Sequence, residues 1–139
     1  VGVNYTNKTQ FIYKINKGIE SVSDTKLINQ YLEESKRPVQ FKNMIFLGDG
    51  PTDIPCMKLV KSQGGHSIAV YNPVDRQAFA AMKQLIDAGR ATYVCPADYS
   101  DGGEIDNLVK TIIDKSYTDN KIQHLADTLR TSEMKNCER

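Results

Sequence analysis

Two kinds of apolar pattern alternate along the chain. Short unbroken runs, in "NMIFLGD", "HSIAVYNP" and "ATYVCPAD", are bounded by glycine, proline, asparagine and aspartate. Runs of this length suit strands of a parallel sheet buried on both faces. Between them lie longer stretches whose apolar residues recur every three or four positions, the spacing of one helical face. Residues 6–18 predict a helix with Thr6 or Asn7 as cap, Gly18 as stop, and Phe11, Ile12 and Ile15 as its stripe. Residues 23–38 predict a second, capped by Ser23 or Asp24 and halted before Pro38, with Leu27, Ile28, Tyr31 and Leu32 sharing one helical face. A third follows the strand at 43–49, tolerating Pro55 in its first turn and ending at Gly64-Gly65. Residues 74–89 carry a stripe at Phe79, Met82, Leu85 and Ile86, and residues 102–117 one at Ile105, Leu108, Val109 and Ile112. Residues 1–5 read as the end of a strand or hairpin. The last segment, about 120–134, reads as a polar helix anchored by Ile122, Leu125 and Leu129.

Strands alternating with helices predict an α/β fold, a Rossmann-like parallel sheet flanked by helices. A chain of 139 residues holds one such domain or a piece of one, here a core over 6–115 and a helical tail over 116–139. The net charge of +1 gives no reason to expect nucleic-acid or membrane binding, and no apolar run has the length of a membrane span. Three widely spaced cysteines without a C-x-x-C pair argue against a disulfide framework or zinc knuckle and for a reducing, cytoplasmic setting. Cys56 and Cys95 sit in apolar surroundings and read as buried hydrophobes.

The candidate chemistry lies in residues 44–57, "MIFLGDGPTDIPCM". Open parallel sheets bind ligands at the carboxyl ends of their strands. Asp49 falls at such an end. Gly48 and Gly50 remove side chains around it, permitting a sharp turn and close approach of backbone N–H groups to an anion. Asp53 follows four residues later, where a helical turn would aim it at the same point. Two carboxylates converging on one point repel unless a cation lies between them, and an all-oxygen donor set favours Mg2+ completed by a substrate phosphate. A plain turn is the alternative reading, with Thr52 or Asp53 serving as N-cap for the helix that follows.

"FLGDGPTD" is similar to the fourth motif of the haloacid dehalogenase superfamily of phosphohydrolases, an apolar strand followed by G-D-G/D-x-x-x-D. The resemblance implies that Asp49 and Asp53 help hold a catalytic Mg2+. It also implies a lysine near the start of an upstream helix, which steadies charge on nucleophile and phosphate. Lys8 in "YTNKTQFIYK" matches best and looks like the lysine-led helix of the phosphoserine-phosphatase-like branch, with Lys14 and Lys17 as alternatives. By the same resemblance Gly50 and Lys8 would meet the phosphate of a small phosphorylated substrate. An aspartate would attack phosphorus in line and form an aspartyl-phosphate.

That nucleophile is not in the chain. No D-x-D occurs in it, and only five residues precede the predicted lysine helix. Asp98 and Asp101 in "CPADYSDGGEID" have the wrong spacing and lie on the wrong side of the lysine; a loop and N-cap for the helix at Glu104 is preferred for them. The expectation is therefore an incomplete domain, the C-terminal part of a hydrolase inactive alone, whose strand at 43–49 exposes an edge for a missing N-terminal segment or a partner strand. The alternative is a non-catalytic α/β module that binds Mg2+, phosphate or a partner protein. A phosphate-accepting receiver domain is weaker, since its paired acids belong on an early strand. Among other polar residues, His66 reads as structural, and His124, Arg76 and Arg90 as surface. Asn72-Pro73 reads as either a pocket wall or a plain turn, and Tyr71, Tyr93 and Tyr99 as half-buried.

Overall fold

The structure, a computed structural model, describes residues 8–20 and 25–139. Three strands, β1 (Ile45–Gly48), β2 (His66–Tyr71) and β3 (Tyr93–Pro96), form one parallel sheet in the order β1-β2-β3. Ile45 pairs with His66 and Gly48 with Ala69, then Ile68 with Tyr93 and Tyr71 with Pro96. Among the described residues five α-helices accompany them: α1 (Lys8–Lys17), α2 (Thr25–Asn29), α3 (Ile54–Ser62), α4 (Ala78–Asp87) and α5 (Glu104–Cys137). The α/β architecture with a parallel sheet flanked by helices is as the sequence pattern predicts. The expected caps Thr6, Asn7, Ser23 and Asp24, and the expected strand or hairpin end at 1–5, lie outside the described residues.

Side chains alternate across the sheet with the strand period of two. Ile45, Leu47, Ile68, Val70, Tyr93 and Cys95 point to one face, where Ile105, Leu108, Val109 and Ile112 of α5 cover them. Phe46 and Ala69 point to the other, where Met57 of α3 and Met82, Leu85 and Ile86 of α4 pack. A further cluster joins α1 to α3 beneath β1, with Ile12, Phe41, Cys56 and Val60 buried together. Ser67 is also fully buried, and its hydroxyl donates to the Met57 carbonyl at 2.6 Å. Gly65 is a glycine of necessity: a Cβ there would lie 2.5 Å from the Phe41 carbonyl oxygen.

α1 ends in a paired reverse turn. The Ile19 amide donates to the Lys14 carbonyl, the Gly18 amide to Ile15, and Gly18 has φ +68°. The next segment corrects the sequence reading, for the helix expected over 23–38 stops at Asn29. Its carbonyls have other partners. Lys17 Nζ donates to the carbonyls of Ile28 and Gln30, and Arg37 Nε donates to that of Leu32. The fully buried Asn16 draws this stretch onto α1, donating to the Val39 carbonyl at 2.7 Å and accepting from Arg37 Nη1 at 2.7 Å. Tyr31, one of the four positions expected to share a helical face, is 84% exposed.

The other corrections are smaller. The helix at 102–117 and the polar tail are one continuous 34-residue α5. Its N-cap is Gly103, with no side-chain cap; Asp98 instead accepts from the amide and hydroxyl of Ser100, so the loop reading holds and the cap reading does not. Tyr99 is 66% exposed rather than half-buried. Cys56 and Cys95 are buried as expected and Cys137 is exposed. Among the described residues, no helix is long and apolar enough to cross a membrane.

Candidate active site

β1 delivers Asp49 to the carboxyl end of the sheet, and the chain then makes a single 3-10 turn, Pro51–Asp53, before α3 begins. The turn carries Asp53 back over the strand end, where its Oδ2 accepts from the Asp49 amide at 3.1 Å. Gly48 makes this possible. A Cβ at that position would lie 2.7 Å from the Cβ of Asp53 and 3.2 Å from the Phe46 ring. Gly50 plays a different part: its backbone is extended, φ −148°, and no atom stands within 4 Å of where a Cβ would be, so the peptide there is open to an approaching ligand.

Lys8 reaches this point from α1. Its Nζ donates to Asp53 Oδ1 at 2.8 Å and to Thr52 Oγ1 at 2.9 Å, across 45 and 44 positions of sequence. Of the three lysines considered, Lys8 alone faces the acids. Lys14 is buried, its ammonium 5.2 Å from the centre of the Phe11 ring, and Lys17 is held by the carbonyls of Ile28 and Gln30. The N-cap alternative for Thr52 and Asp53 also fails, since α3 has no side-chain cap and both groups turn toward Lys8.

Burial pushes the Asp53 carboxyl upward, but the hydrogen bonds from Lys8 and from the amides of Asp49 and Gly50 outweigh it, and its pKa lies below the ordinary value. Reciprocally, the hydrogen bond to Asp53 raises the Lys8 pKa against the opposing effect of burial. Beside them the Cys56 thiol is pushed up, chiefly by burial and then by the Asp53 charge, which leaves it an inert core group.

Asp49 and Asp53 are the acids gathered at this strand end, and no group of three His, Cys, Asp or Glu collects among the described residues. Mg2+ keeps several waters and takes a phosphate oxygen, so a single carboxylate on this turn would suit it, whereas an ion that needs a full protein cage would not be held. Asp49 is exposed, whereas both oxygens of Asp53 already accept hydrogen bonds.

Two hollows adjoin the acids. One, about 390 Å3, runs between α1 and the edge of β1 that is unpaired among the described residues, lined by Phe11, Ile12, Ile15 and Phe46 with Lys8 and Asp53 at its end. The other, about 430 Å3, lies across the ends of β2 and β3 and includes Asp49, Tyr71, Asn72, Asp75 and Tyr99. Asn72 is at once wall and turn, its Oδ1 accepting from the Val74 amide at 3.1 Å. Sequence reasoning missed Asp75, Met82 and Tyr99 as cleft residues; the signal was their position just past the carboxyl ends of strands, or on the helix that follows one. His66 lies at the opposite end of β2, stacked on Tyr93, with Nδ1 buried and unpartnered among the described residues.

No family model matches the chain, and no solved structure matches it. It is similar to an uncharacterized protein of Borreliella burgdorferi (strain ATCC 35210 / DSM 4680 / CIP 102532 / B31), 30% identical over 110 residues. That alignment takes in 77% of this chain and 35% of the relative, so the chain spans about a third of the length of the protein it matches.

Proposed function

We propose that the chain carries the metal-holding and charge-balancing half of a Mg2+-dependent phosphohydrolase of the haloacid dehalogenase type, acting on a phosphate monoester through an aspartyl-phosphate. The observation that carries this reading is the Lys8–Asp53 pair at the end of β1. A lysine from one helix and the second acid of "GDGPTD" meet where a parallel sheet binds its ligands, although nothing local requires them to.

In this reading each residue has its own role. The exposed Asp49 carboxylate would hold the ion, and Mg2+, when bound, would supply stabilisation of charge on the phosphoryl oxygens. Asp53 fixes the Asp49 backbone and aims the lysine. Lys8 balances the negative charge that accumulates on phosphate and nucleophile. Gly50 leaves its peptide accessible to a phosphate oxygen. The attacking aspartate would arrive on a further strand laid along the edge of β1 that is unpaired among the described residues, which makes the described unit part of a larger domain, and the three widely spaced cysteines favour a cytoplasmic setting.

The test is Mg2+-dependent hydrolysis of an aryl phosphate by this chain and by a form extended on its N-terminal side. Activity is expected in the extended form alone. It should vanish in Asp49→Asn and fall about 10–100-fold in Asp53→Asn, the usual effect of losing a group that orients a ligand. Hydrolysis by the 139-residue chain would overturn the assignment of the nucleophile to another segment.

One observation favours a second reading, a non-catalytic module that binds Mg2+ or phosphate through the same residues. The carboxylates whose charge acts on Lys8 are Asp53 and Asp49, and neither is placed as a nucleophile. Phosphate binding without turnover in the extended form would select it.

A further inference from the structure

The cleft on the far side of Asp49 has a chemistry of its own. Three strand ends meet in it: Asp49 follows β1, Tyr71 and Asn72 close β2, and Tyr99 follows β3, while Met82 and alanines of α4 form its apolar floor. Its volume of about 430 Å3 suits a ring-sized group. No Lys, Arg or His stands among the described residues that line it, and two carboxylates, Asp49 and Asp75, do.

The cleft is also shaped in advance. The Tyr71 ring is set by an edge contact with Phe79, centroids 5.4 Å apart at 70°. The loop after β2 is pinned at three points. Asn72 Oδ1 accepts from the Val74 amide at 3.1 Å, the Asn72 carbonyl from the Asp75 amide at 3.1 Å, and Asp75 Oδ1 from the Gln77 amide at 2.9 Å. Asp75 therefore keeps its carboxylate in place at the mouth with no cationic partner among the described residues.

From these features we infer that the cleft binds the organic part of the phosphate ester, and that this part is planar and uncharged or cationic. The inference rests on the proposed function for the direction in which the phosphate points. Phosphate lies toward Lys8 and the organic group crosses Asp49 onto the tyrosine-walled floor. Aromatic faces and an apolar floor favour a flat ring. With Asp49 turned to the ion and Lys8, the Asp75 carboxylate at the mouth, with no basic side chain among the described lining residues, favours an ammonium and repels a second anion.

The test needs neither Mg2+ nor phosphate, so it stands apart from the test of hydrolysis. Three phenols with one ring and different charge, tyramine, tyrosol and 4-hydroxyphenylacetate, are titrated into the 15N-labelled 139-residue chain. Tyramine and tyrosol should shift the amides of Tyr71, Asn72 and Tyr99, tyramine binding about two- to fivefold tighter, the worth of an exposed ion pair. Asp75→Asn, which keeps the Oδ1 acceptor for the Gln77 amide and so the fold of the loop, should erase most of that preference while sparing tyrosol. Equal or tighter binding of 4-hydroxyphenylacetate would overturn the inference, as would shifts confined to other surfaces. Ring binding here without hydrolysis in the extended form would leave the cleft assignment standing and remove the phosphatase reading.

Discussion

Asp53 divides its two oxygens between a lysine 45 positions away and the amide of the other acid, so one residue ties α1, the strand end and the turn together. Its effect on stability has a definite pH window. The folded-state pKa of Asp53 is depressed, so its contribution is present above the unfolded carboxylate value and is lost as pH falls through the folded one, below 3.8. Lys8 has a raised pKa, so its share is present below 10.5 and lost as pH rises beyond that. Comparing thermal midpoints of the parent and Lys8→Met across pH should show a gap through the neutral range that closes at both extremes. A gap independent of pH would mean that the pair contributes packing and not charge. Gly48→Ala attacks the same knot sterically. With a Cβ only 2.7 Å from that of Asp53, overpacking should cost about 1–3 kcal/mol in denaturant unfolding and abolish the pH-dependent gap, because the acid is pushed off its lysine.

At the scale of elements, what could be read in advance followed the strength of the local signal. The three strands and the helices between them were legible because each apolar run is bounded by breakers and each stripe has a sheet to cover. The acids and Gly48 were legible because a glycine-flanked aspartate after a buried run is a local pattern. Residues 30–40 were not, since their conformation is decided by Asn16, Lys17 and Arg37 reaching across from other positions, a tertiary effect with no helical period to betray it. The cleft residues Asp75, Met82 and Tyr99 were hidden for the same reason, being adjacent only in space. α5 adds a different lesson: its apolar anchors end at Ile112, yet the helix continues with Ile122, Leu125 and Leu129 exposed. Deleting residues 121–139 should therefore leave the denaturation midpoint of the sheet within about 0.5 kcal/mol of the parent. A larger loss would reveal a contact between the distal helix and the core.

For the molecule as a whole, the dominant feature is the side of β1 that has no partner strand among the described residues. An apolar groove beside an open strand edge is a template for another strand. In the proposed enzyme that place belongs to the nucleophile-bearing strand. In the 139-residue chain alone it should make self-association rise with concentration. Ile15 lines the groove and is 58% exposed, so Ile15→Lys should suppress association in sedimentation experiments while barely moving the thermal midpoint. Association unaffected by that substitution would locate the contact elsewhere.

The distribution of the three thiols turns this architecture into a reagent-counting device. Cys137 stands exposed at the tip of a rod reaching roughly 37 Å beyond Ile112 at 1.5 Å per residue, while Cys56 lies in the α1–α3 cluster and Cys95 in the α5 face of the sheet. A thiol-specific dye should thus consume one equivalent at once and two more only as each half of the core opens. If the second and third equivalents arrive at different rates, the two faces of the sheet breathe independently, and filling the groove along β1 should slow the Cys56 phase while leaving the Cys95 phase unchanged.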